Sequence, residues 1–567
     1  MDDEILNTIN LICAGLFGLL LLWLLIESAC RKNGLKKLTR GDEPRPLTPD
    51  RAAVLWGLIL LFGFLRLYRF GSVPGGFNQD GAMAAVDALA LADHGTDRFG
   101  MALPAHFTAW GFGQMSVLLS YCMVPFFRLF GMNALTARLP MLLWSFAGMA
   151  AAYAFLRRLL SRRAALLGLL FLSICPWHFM QSRWALDCNL LPHVFLIGFA
   201  LLYLGAEKRA ALYGSMVFFA LSMYSYGLAF LSVPLFLLLG CILLLREKRI
   251  RWWDALLCAL IYFGLSFPIY GTMLINAMGW ETVELPFVTM PFFPDSIRAN
   301  DMVFYSAEPL KQLLLNAKAL WNVGFVQGPD LSWNAIDGFG TVYRCSWPLL
   351  LWGLVLSAVR AFRAEDGRAR LGYRLLLLFW LCGLVTGLCA NNVNVNRLNI
   401  LFYAHVLLVV VAAESLLQFR RIAGLPLLAA YVLVAALFFH SYFGVWAERI
   451  SETFYRDFLS AVESAGEQDF ERYVITPDVQ YTGSRQTSEI LTLFQLRLDA
   501  EYFQGKTDDP IPYRERFVYR NLTPEDLAAP EEGTCFVLKR SALPEALPPG
   551  WLVQDCGSYC LLYYGGA

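Results

Sequence analysis

The sequence predicts a mainly α-helical, polytopic membrane protein, with about twelve membrane spans and a small C-terminal α/β domain outside the membrane. Of its 567 residues, 57% are hydrophobic and only 16% are charged. A soluble protein has about a quarter of its residues charged. Apolar runs of about twenty residues, the length that crosses a bilayer as a helix, recur along the chain. A basic surface interleaved with aromatic residues, as nucleic-acid binding requires, is missing from the sequence.

The predicted spans are separated by loops of alternating character. Lys and Arg concentrate in loops such as 30–51, 157–163, 207–209, 246–251 and 360–374, and such loops stay in the cytoplasm. We therefore expect a multi-pass protein of the cell membrane, with both termini and the long intervening loops extracytoplasmic. The predicted spans are 5–29, 52–70, 134–156, 164–182, 190–206, 209–225, 227–245, 253–272, 345–361, 372–390, 398–417 and 422–443.

The loops and spans divide the chain into three predicted parts. Residues 1–51 form an extra N-terminal span and a basic cytoplasmic linker, and residues 444–567 form the extracytoplasmic C-terminal domain. Residues 52–443 form a transmembrane module with external loops 71–133 and 273–344. Within these parts, pattern predicts a short helix ended by Gly95, an interfacial helix over 113–131, a helix over 484–498, and strands within 472–478, 534–540 and 551–564.

Ionisable residues at the membrane edge are costly, and three places on the external side contain them. Asp80 follows the span 52–70, Arg183 and Asp187 flank the turn in "SRWALDCNLLP", and Arg397 opens a span within "NNVNVNRLN". Each has an ordinary alternative: a helix cap for Asp80, a local ion pair for the second place, and a lipid headgroup anchor for Arg397. As a set, two carboxylates and an arginine suit a base that acts on a neutral nucleophile beside an anionic leaving group.

Four aspartates follow the span 52–70 within a stretch of 30 residues, and the sequence assigns them different roles. Asp80 lies just before the predicted helix or in its first turn, where the helix dipole favours a carboxylate. Asp87 and Asp93 fall within the helix and are expected to be solvated. Asp97 belongs to the loop element "GTDRFGMALP", which we expect to shape the site.

Several motifs in order resemble the GT-C superfamily of glycosyltransferases, which take sugars from polyprenyl phosphates. The likeness is to the branch of protein O-mannosyltransferases and aminoarabinose transferases. It rests on "FNQDGAMAA", "GTDRFGMALP", "LFGMNALTARLP", "SRWALDCNLLP", "SYGLAFLSVPLFLLL" and "NVNRLNILF", and covers roughly residues 52–420. One position departs from the family: Asp-Glu is common there, whereas Gly81 follows Asp80 here, which puts in doubt any role that needs the second carboxylate.

The resemblance implies a role for individual residues. Asp80 matches the catalytic base on the acceptor, Asp187 a second acidic position near the reaction centre, and Arg397 a basic position that binds the carrier phosphate. Arg138 is either a further phosphate ligand or a structural residue that pairs with a loop carboxylate.

Three further residues, in or near the turn "SRWALDCNLLP", complete the candidate site. Arg183 is a further candidate ligand for the phosphate, with the local ion pair as its alternative. His178 and Trp184, with Asp97, are expected to shape the substrate site. For His178 the alternative is ordinary packing. Trp184, like Trp110, either stacks on a sugar ring or belongs to the interfacial aromatic belt.

The predicted function is therefore sugar transfer from a polyprenyl-phosphate donor to a glycan, lipid or protein acceptor on the extracytoplasmic face. The partners are this donor, the acceptor and membrane lipids, with no nucleic acid. His, Asp and Glu lack metal-ligand spacing, so no cofactor and no metal is expected, with a divalent ion as the alternative. The rival functions are a transporter or flippase of lipid-linked glycans, a glycan polymerase, and a non-catalytic scaffold. Paired repeats and midplane charges would favour the transporter.

Overall fold

The computed structural model describes residues 3–40, 47–110, 113–294, 302–419, 421–479 and 484–566 of the chain. Helices dominate this part of the chain, as the sequence predicts. They are α1 (Asp3–Cys30), α2 (Gly34–Arg40), α3 (Pro49–Leu67), α4 (Gln79–Asp93), α5 (Leu118–Phe130), α6 (Ala134–Leu159), α7 (Arg162–Ile174), α8 (Pro176–Gln181), α9 (Asp187–Gly205), α10 (Arg209–Met223), α11 (Ala229–Arg246), α12 (Trp252–Met278), α13 (Pro309–Leu320), α14 (Trp347–Arg363), α15 (Gly367–Cys389), α16 (Val395–Phe419), α17 (Gly424–Phe443), α18 (Val445–Thr453), α19 (Arg456–Glu467), α20 (Arg485–Leu496), α21 (Ala500–Gln504), α22 (Tyr513–Arg516) and α23 (Pro524–Ala528).

Nine helices within the described ranges are long and apolar enough to cross a membrane. They are α1, α6, α9, α11, α12, α15, α16, α17 and the segment Arg344–Arg363, which contains α14. The three remaining predicted spans also contain helices, namely α3, α7 with α8, and α10. The span over 164–182 is divided at Cys175 because Pro176 begins α8, and the residue before a proline disfavours the helical conformation. The chain is thus a multi-pass membrane protein.

Helix α16 lies at the centre of the bundle. Its apolar residues continue around the whole helix rather than along one stripe, which is typical of a buried helix. It packs against α7, α9, α14 and α15. Its residues from Leu398 to Leu417 are all buried.

The basic loops gather at one end of the bundle. Arg40 of the first linker pairs with Glu365 at 3.0 Å, and Arg158 pairs with Glu207 at 3.2 Å. Arg374 pairs with Glu247 across two further loops. The alternation inferred from the sequence therefore matches the geometry, while the assignment of this end to the cytoplasm stays a prediction.

The long external loops and the C-terminal domain lie together at the opposite end. Asn10 of α1 donates to the Gly338 carbonyl at 2.9 Å, which connects the N-terminal helix to the second loop. Trp446 donates to the Ser332 carbonyl at 2.9 Å, so the start of the C-terminal domain contacts that loop as well. The common placement of these segments is what the predicted topology requires.

The first external loop contains more structure than the sequence indicates. Helix α4 ends at Asp93, close to the predicted stop at Gly95, whose φ of +73° favours glycine. A hairpin of β1 (Phe107–Ala109) and β2 (Gly113–Met115) follows. The predicted helix over 113–131 therefore starts only at Leu118, because its first residues pair as a strand. Helix α5 packs on α4 and α6 and leaves Leu129 and Phe130 exposed, as an interfacial helix would.

The C-terminal domain is the predicted small α/β unit. Its strands are β5 (Arg472–Ile475), β6 (Phe517–Tyr519), β7 (Thr534–Lys539), β8 (Trp551–Cys556) and β9 (Tyr559–Tyr564), after a separate β3–β4 hairpin (Val283–Leu285 and Val288–Met290) in the second loop. The sheet order is β6-β5-β7-β9-β8, with β5 parallel to both neighbours and β9 antiparallel to both of its own. The short strand β6 was not predicted.

The C-terminal domain and the first loop share one hydrophobic core. Phe77, just before α4, stacks on Phe494 of α20 with ring centroids 4.4 Å apart. Phe458 of α19 and Leu491 of α20 belong to the same buried cluster as the alanines of α4. Because this cluster encloses α4, the C-terminal domain fixes the position of the helix that carries Asp80.

Candidate functional site

Asp80 lies in the first turn of α4 and is half-buried. The cap of this helix is Asn78, whose side-chain oxygen accepts the Asp80 amide at 3.0 Å. The alternative role of Asp80, as the cap of this helix, is therefore filled by Asn78. A carboxylate in the first turn is stabilised by the positive end of the helix dipole, which favours its charged, proton-accepting form.

At Gly81, the start of α4 lies in close contact with the turn that precedes α9. A methyl group added at Gly81 would lie 2.5 Å from the Ala185 carbonyl oxygen and 3.1 Å from the Phe77 ring. Even alanine is therefore too large, and a glutamate is excluded. This close approach explains why Asp80 is followed by glycine here. It also brings Asp80 to the segment 185–189, which contains Asp187.

Asp187 is the first residue of α9, and the same segment connects it to α16. Asp187 is 6% exposed, and its Oδ1 accepts the Cys188 amide at 2.7 Å. The Cys188 carbonyl in turn accepts from the Asn399 side chain at 3.0 Å. Asn399 is two residues beyond Arg397 on α16, so the segment 185–189 contacts the elements that carry Asp80 and Arg397. The three predicted residues are thus brought to one region.

Asn399 is held from a second side. Its side-chain oxygen accepts from the Trp177 indole at 2.9 Å and from the Gln181 amide at 2.6 Å, both on α8. All three side chains are buried. The side-chain oxygen and nitrogen of Asn399 thus both have partners, as buried polar groups generally do. The sequence signal was present in the residues "PWHFMQ" and "NRLN", but the pairing between them needed the fold.

Asp330 of the second external loop fixes the start of α16. Its Oδ2 accepts the Val395 amide at 3.0 Å, and its Oδ1 accepts from Leu331 and Asn334. Burial raises the pKa of Asp330, although the three hydrogen bonds act to lower it. Arg397 lies two residues beyond Val395 and is half-buried. Sequence reasoning missed Asp330 because nothing local relates it to a helix that begins 65 residues later.

Comparisons with known proteins agree with this architecture. A solved structure of ArnT from Cupriavidus metallidurans, bound to undecaprenyl phosphate, superposes with a TM-score of 0.52 over 89% of this chain and 98% of that one, at 14% identity. The chain has a GT-C fold. The family model for dolichyl-phosphate-mannose-protein mannosyltransferase matches residues 115–271. An oligosaccharyltransferase from Archaeoglobus fulgidus gives a TM-score of 0.44 at 14% identity, over 78% of this chain and 63% of that one. A search of curated sequences found no significant match.

Arg138 and Arg183 are engaged by backbone carbonyls. Arg138 is fully buried and donates to the carbonyls of Gly71, Pro74 and Gly76, at 2.6–3.0 Å. Arg183 donates to the carbonyls of Arg66, Tyr68 and Val73 and to the Tyr442 hydroxyl. Both arginines thus brace the chain between α3 and α4. This geometry favours a structural role, and phosphate binding by either residue stays a prediction.

His178 and Trp184 are also buried within the helical bundle. The Nε2 of His178 lies 2.9 Å from the Tyr403 hydroxyl, and the Nδ1 of His193 lies 2.7 Å from the same oxygen. Trp184 is 3% exposed and packs on Phe454, with ring centroids 5.4 Å apart. Trp184 directly precedes the segment 185–189, whereas His178 lies in α8. The predicted effect of these two residues on the substrate site would act through packing.

The structure corrects the prediction that Asp87 in the first loop is solvated. It is completely buried rather than solvated, and it forms an ion pair with Arg98, which is 4% exposed. Burial, which outweighs the nearby Arg98 charge, raises the pKa of the Asp87 carboxyl. Arg98 also donates to the Thr108 carbonyl at 2.7 Å, so the pair fastens the hairpin to α4. Asp93 is exposed, as expected.

Asp97 shapes the loop between α4 and the hairpin. It is buried, and its Oδ1 accepts the amides of Phe99 and Met101, both at 2.9 Å. Burial raises the pKa of this carboxyl as well. Asp97 therefore holds the Gly-rich element in a fixed turn, and its effect on substrate stays a prediction.

One group in the described ranges has the residue types of a metal site, namely His94, Asp499 and Glu501, with ligand atoms within 4.8 Å of one another. His94 Nε2 is already 2.7 Å from Asp499 Oδ2, and Asp499 Oδ1 caps α21. His94 follows the last residue of α4, about 20 Å along the helix axis from Asp80. This group is therefore separate from the candidate site, and whether the chain uses a metal stays a prediction.

Proposed function

We propose that this chain is a glycosyltransferase that moves a sugar from a polyprenyl-phosphate donor to an acceptor on the extracytoplasmic face. The observation that carries the proposal is the meeting of three elements at the segment 185–189. The start of α4 with Asp80, the start of α9 with Asp187, and the start of α16 with Arg397 all contact it or form part of it. A transporter or a scaffold has no need of this convergence in a GT-C fold.

The proposed reaction is a single displacement. The Asp80 carboxylate accepts the proton of an acceptor hydroxyl or amine as that group attacks the anomeric carbon of the donor sugar. The bond between this carbon and the phosphate oxygen breaks, and its electron pair leaves with the polyprenyl phosphate. Arg397 stabilises the leaving phosphate, and Asp187 faces the positive charge that develops on the sugar ring. No general acid is needed because the phosphate leaves as a stable anion.

The nature of the donor is supported by two similarities. The ArnT structure that shares the fold contains undecaprenyl phosphate, and the matching family model is named for a dolichyl-phosphate-dependent enzyme. The bundle also places Arg397 at the end where the long loops and the C-terminal domain lie. A lipid-borne phosphate at the membrane surface could reach an arginine at that end of the bundle.

The test is sugar transfer by purified full-length protein in lipid nanodiscs. Undecaprenyl phosphates that carry labelled mannose, glucose, galactose or aminoarabinose are each incubated with an envelope extract as the source of acceptor. We expect label to enter a lipid, glycan or protein product from at least one donor. If protein that binds undecaprenyl phosphate transfers none of the four sugars, the result would contradict transfer from these donors.

Arg397→Gln tests the phosphate site separately. The exposed Arg449→Gln, at the same end of the molecule, is the matched control. We expect binding of undecaprenyl phosphate alone, measured by native mass spectrometry, to weaken roughly tenfold or more in the first variant only, because a hydrogen-bonded charge contributes about 1.5–3 kcal/mol. Equal binding by both variants would leave Arg397 as a headgroup anchor.

A further inference from the structure

A cavity of about 550 Å³ lies between the first external loop and the C-terminal domain. We call it the interdomain pocket. Its walls include Arg98, Trp110, Arg485, Lys506 and Arg514. This volume falls within the range of small-molecule sites in proteins. The pocket is distinct from the segment 185–189, whose residues do not line it.

The charge of the interdomain pocket is strongly positive. Arg485, Lys506 and Arg514 are exposed, and none of them forms an ion pair with another residue in the described parts of the chain. The acidic residue of the lining, Glu489, accepts a hydrogen bond from Tyr513 at 3.3 Å. Three cations that converge on one cavity without carboxylate partners repel one another. An anionic ligand would remove that cost.

The pocket also presents an aromatic wall. Trp110, at the tip of the β1–β2 hairpin, has a φ of +51°, a left-handed conformation that is unfavourable for a residue with a bulky side chain. The Asp87–Arg98 pair fastens this hairpin to α4, as described above. An indole held in this way provides a flat apolar face, which is what the ring face of a sugar packs against.

The face of α4 that points to the pocket is also the face that carries Asp80. Met83 lines the pocket, and Asp87 holds the lining residue Arg98. Positions 80, 83 and 87 are three and seven apart, so they share one side of the helix. Asp80 lies one turn from Met83, about 4.5 Å along the axis. The interdomain pocket therefore reaches to about one helical turn from Asp80 along this helix.

We infer that the interdomain pocket binds an anionic saccharide, by its phosphate or carboxylate on Lys506, Arg514 and Arg485 and by a ring face on Trp110. The role of this saccharide as acceptor rests on the proposed function, whereas its binding does not. The C-terminal domain thereby gains a function, since it supplies the three cations while the first loop supplies the indole.

The experiment measures binding to full-length protein in nanodiscs, by saturation-transfer NMR with glucose 1-phosphate, glucuronate and glucose as the probes. The wild type is expected to bind one or both anionic sugars, in a manner weakened by salt, and to bind glucose at least tenfold more weakly. A preference between the two anions identifies phosphate or carboxylate as the natural group. Equal binding of glucose would overturn the inference.

Variants locate the site. Lys506→Gln with Arg514→Gln is expected to weaken anion binding roughly tenfold, because charge-assisted hydrogen bonds are lost, while Lys506→Arg with Arg514→Lys restores it. The control is Arg497→Gln, an exposed arginine in the smaller cavity on the other side of α20. Unchanged binding in the Gln pair, or loss only in the control, would refute the site.

The same measurement on Asp80→Asn separates the two proposals. This variant is expected to keep anion binding while it loses transfer. Anion binding without any transfer in the wild type would contradict the proposed function alone. Transfer without anion binding would contradict the pocket alone.

Discussion

Substitution of Gly81 by alanine tests the contact that brings Asp80 to Asp187. The new methyl group would lie 2.5 Å from the Ala185 carbonyl oxygen, whereas ordinary contact begins at about 3.4 Å. The backbone of α4 or of the turn must therefore move by about 0.9 Å. Overpacking of this kind costs about 1–3 kcal/mol. A shift of about 1 Å at reacting groups can lower the rate about 100-fold.

Two assays measure the effect of Gly81→Ala. Thermal unfolding in nanodiscs should show a lower Tm, and sugar transfer should fall further than the loss of folded protein explains. The control is Gly113→Ala in the same loop, where the added methyl group would have its nearest neighbours at 3.6 Å. A Gly81→Ala protein with the Tm and turnover of the wild type would refute the reasoning.

Two further predictions concern the first loop. Arg98→Gln leaves the Asp87 carboxylate buried without its partner, so we expect the free energy of unfolding to fall by about 3–5 kcal/mol. The control is Arg540→Gln, which removes an exposed pair and should cost less than about 1 kcal/mol. Equal Tm values for the two variants would contradict this expectation. The hydrogen bond that the His94 ring donates to the Asp499 carboxylate raises the pKa of His94. This contact therefore stabilises the folded state fully below about pH 6.5 and is lost as pH rises through the raised value. Hydrogen exchange of residues 485–504 should therefore speed up above neutral pH in the wild type, and should be independent of pH over that range, after correction for the intrinsic rate, in His94→Gln.

Most of the fold could be predicted from the sequence because each element has a local signal. Apolar runs of membrane length located the bundle, and alternation of basic loops separated its two ends. The helix α4 was marked by its alanines and by Gly95. The segment 164–182 was predicted as one span, although Pro176 divides it into two shorter helices, because a hydropathy window merges the two.

The site could be predicted only in part. Asp80, Asp187 and Arg397 stood out because ionisable residues at a membrane edge are costly. Their convergence depends on Gly81 and on Asn399, whose contacts join residues more than 100 positions apart.

Partners distant in sequence also decided the roles that sequence reasoning missed. Asp87 looked solvated because its partner Arg98 reaches it only through the fold of the loop. For Arg138 and Arg183 the sequence left phosphate binding and a structural role open, since nothing in it indicates that backbone carbonyls engage them.

The proposed role of Asp80 as base is tested most directly by single-turnover sugar transfer with Asp80→Asn. The matched control is Asp93→Asn, an exposed carboxylate on the same helix. A general base contributes about 100- to 10,000-fold, so Asp80→Asn is expected to lose at least about 100-fold in rate while it binds undecaprenyl phosphate like the wild type. Asp93→Asn should transfer at the wild-type rate. Wild-type turnover by Asp80→Asn would contradict the account.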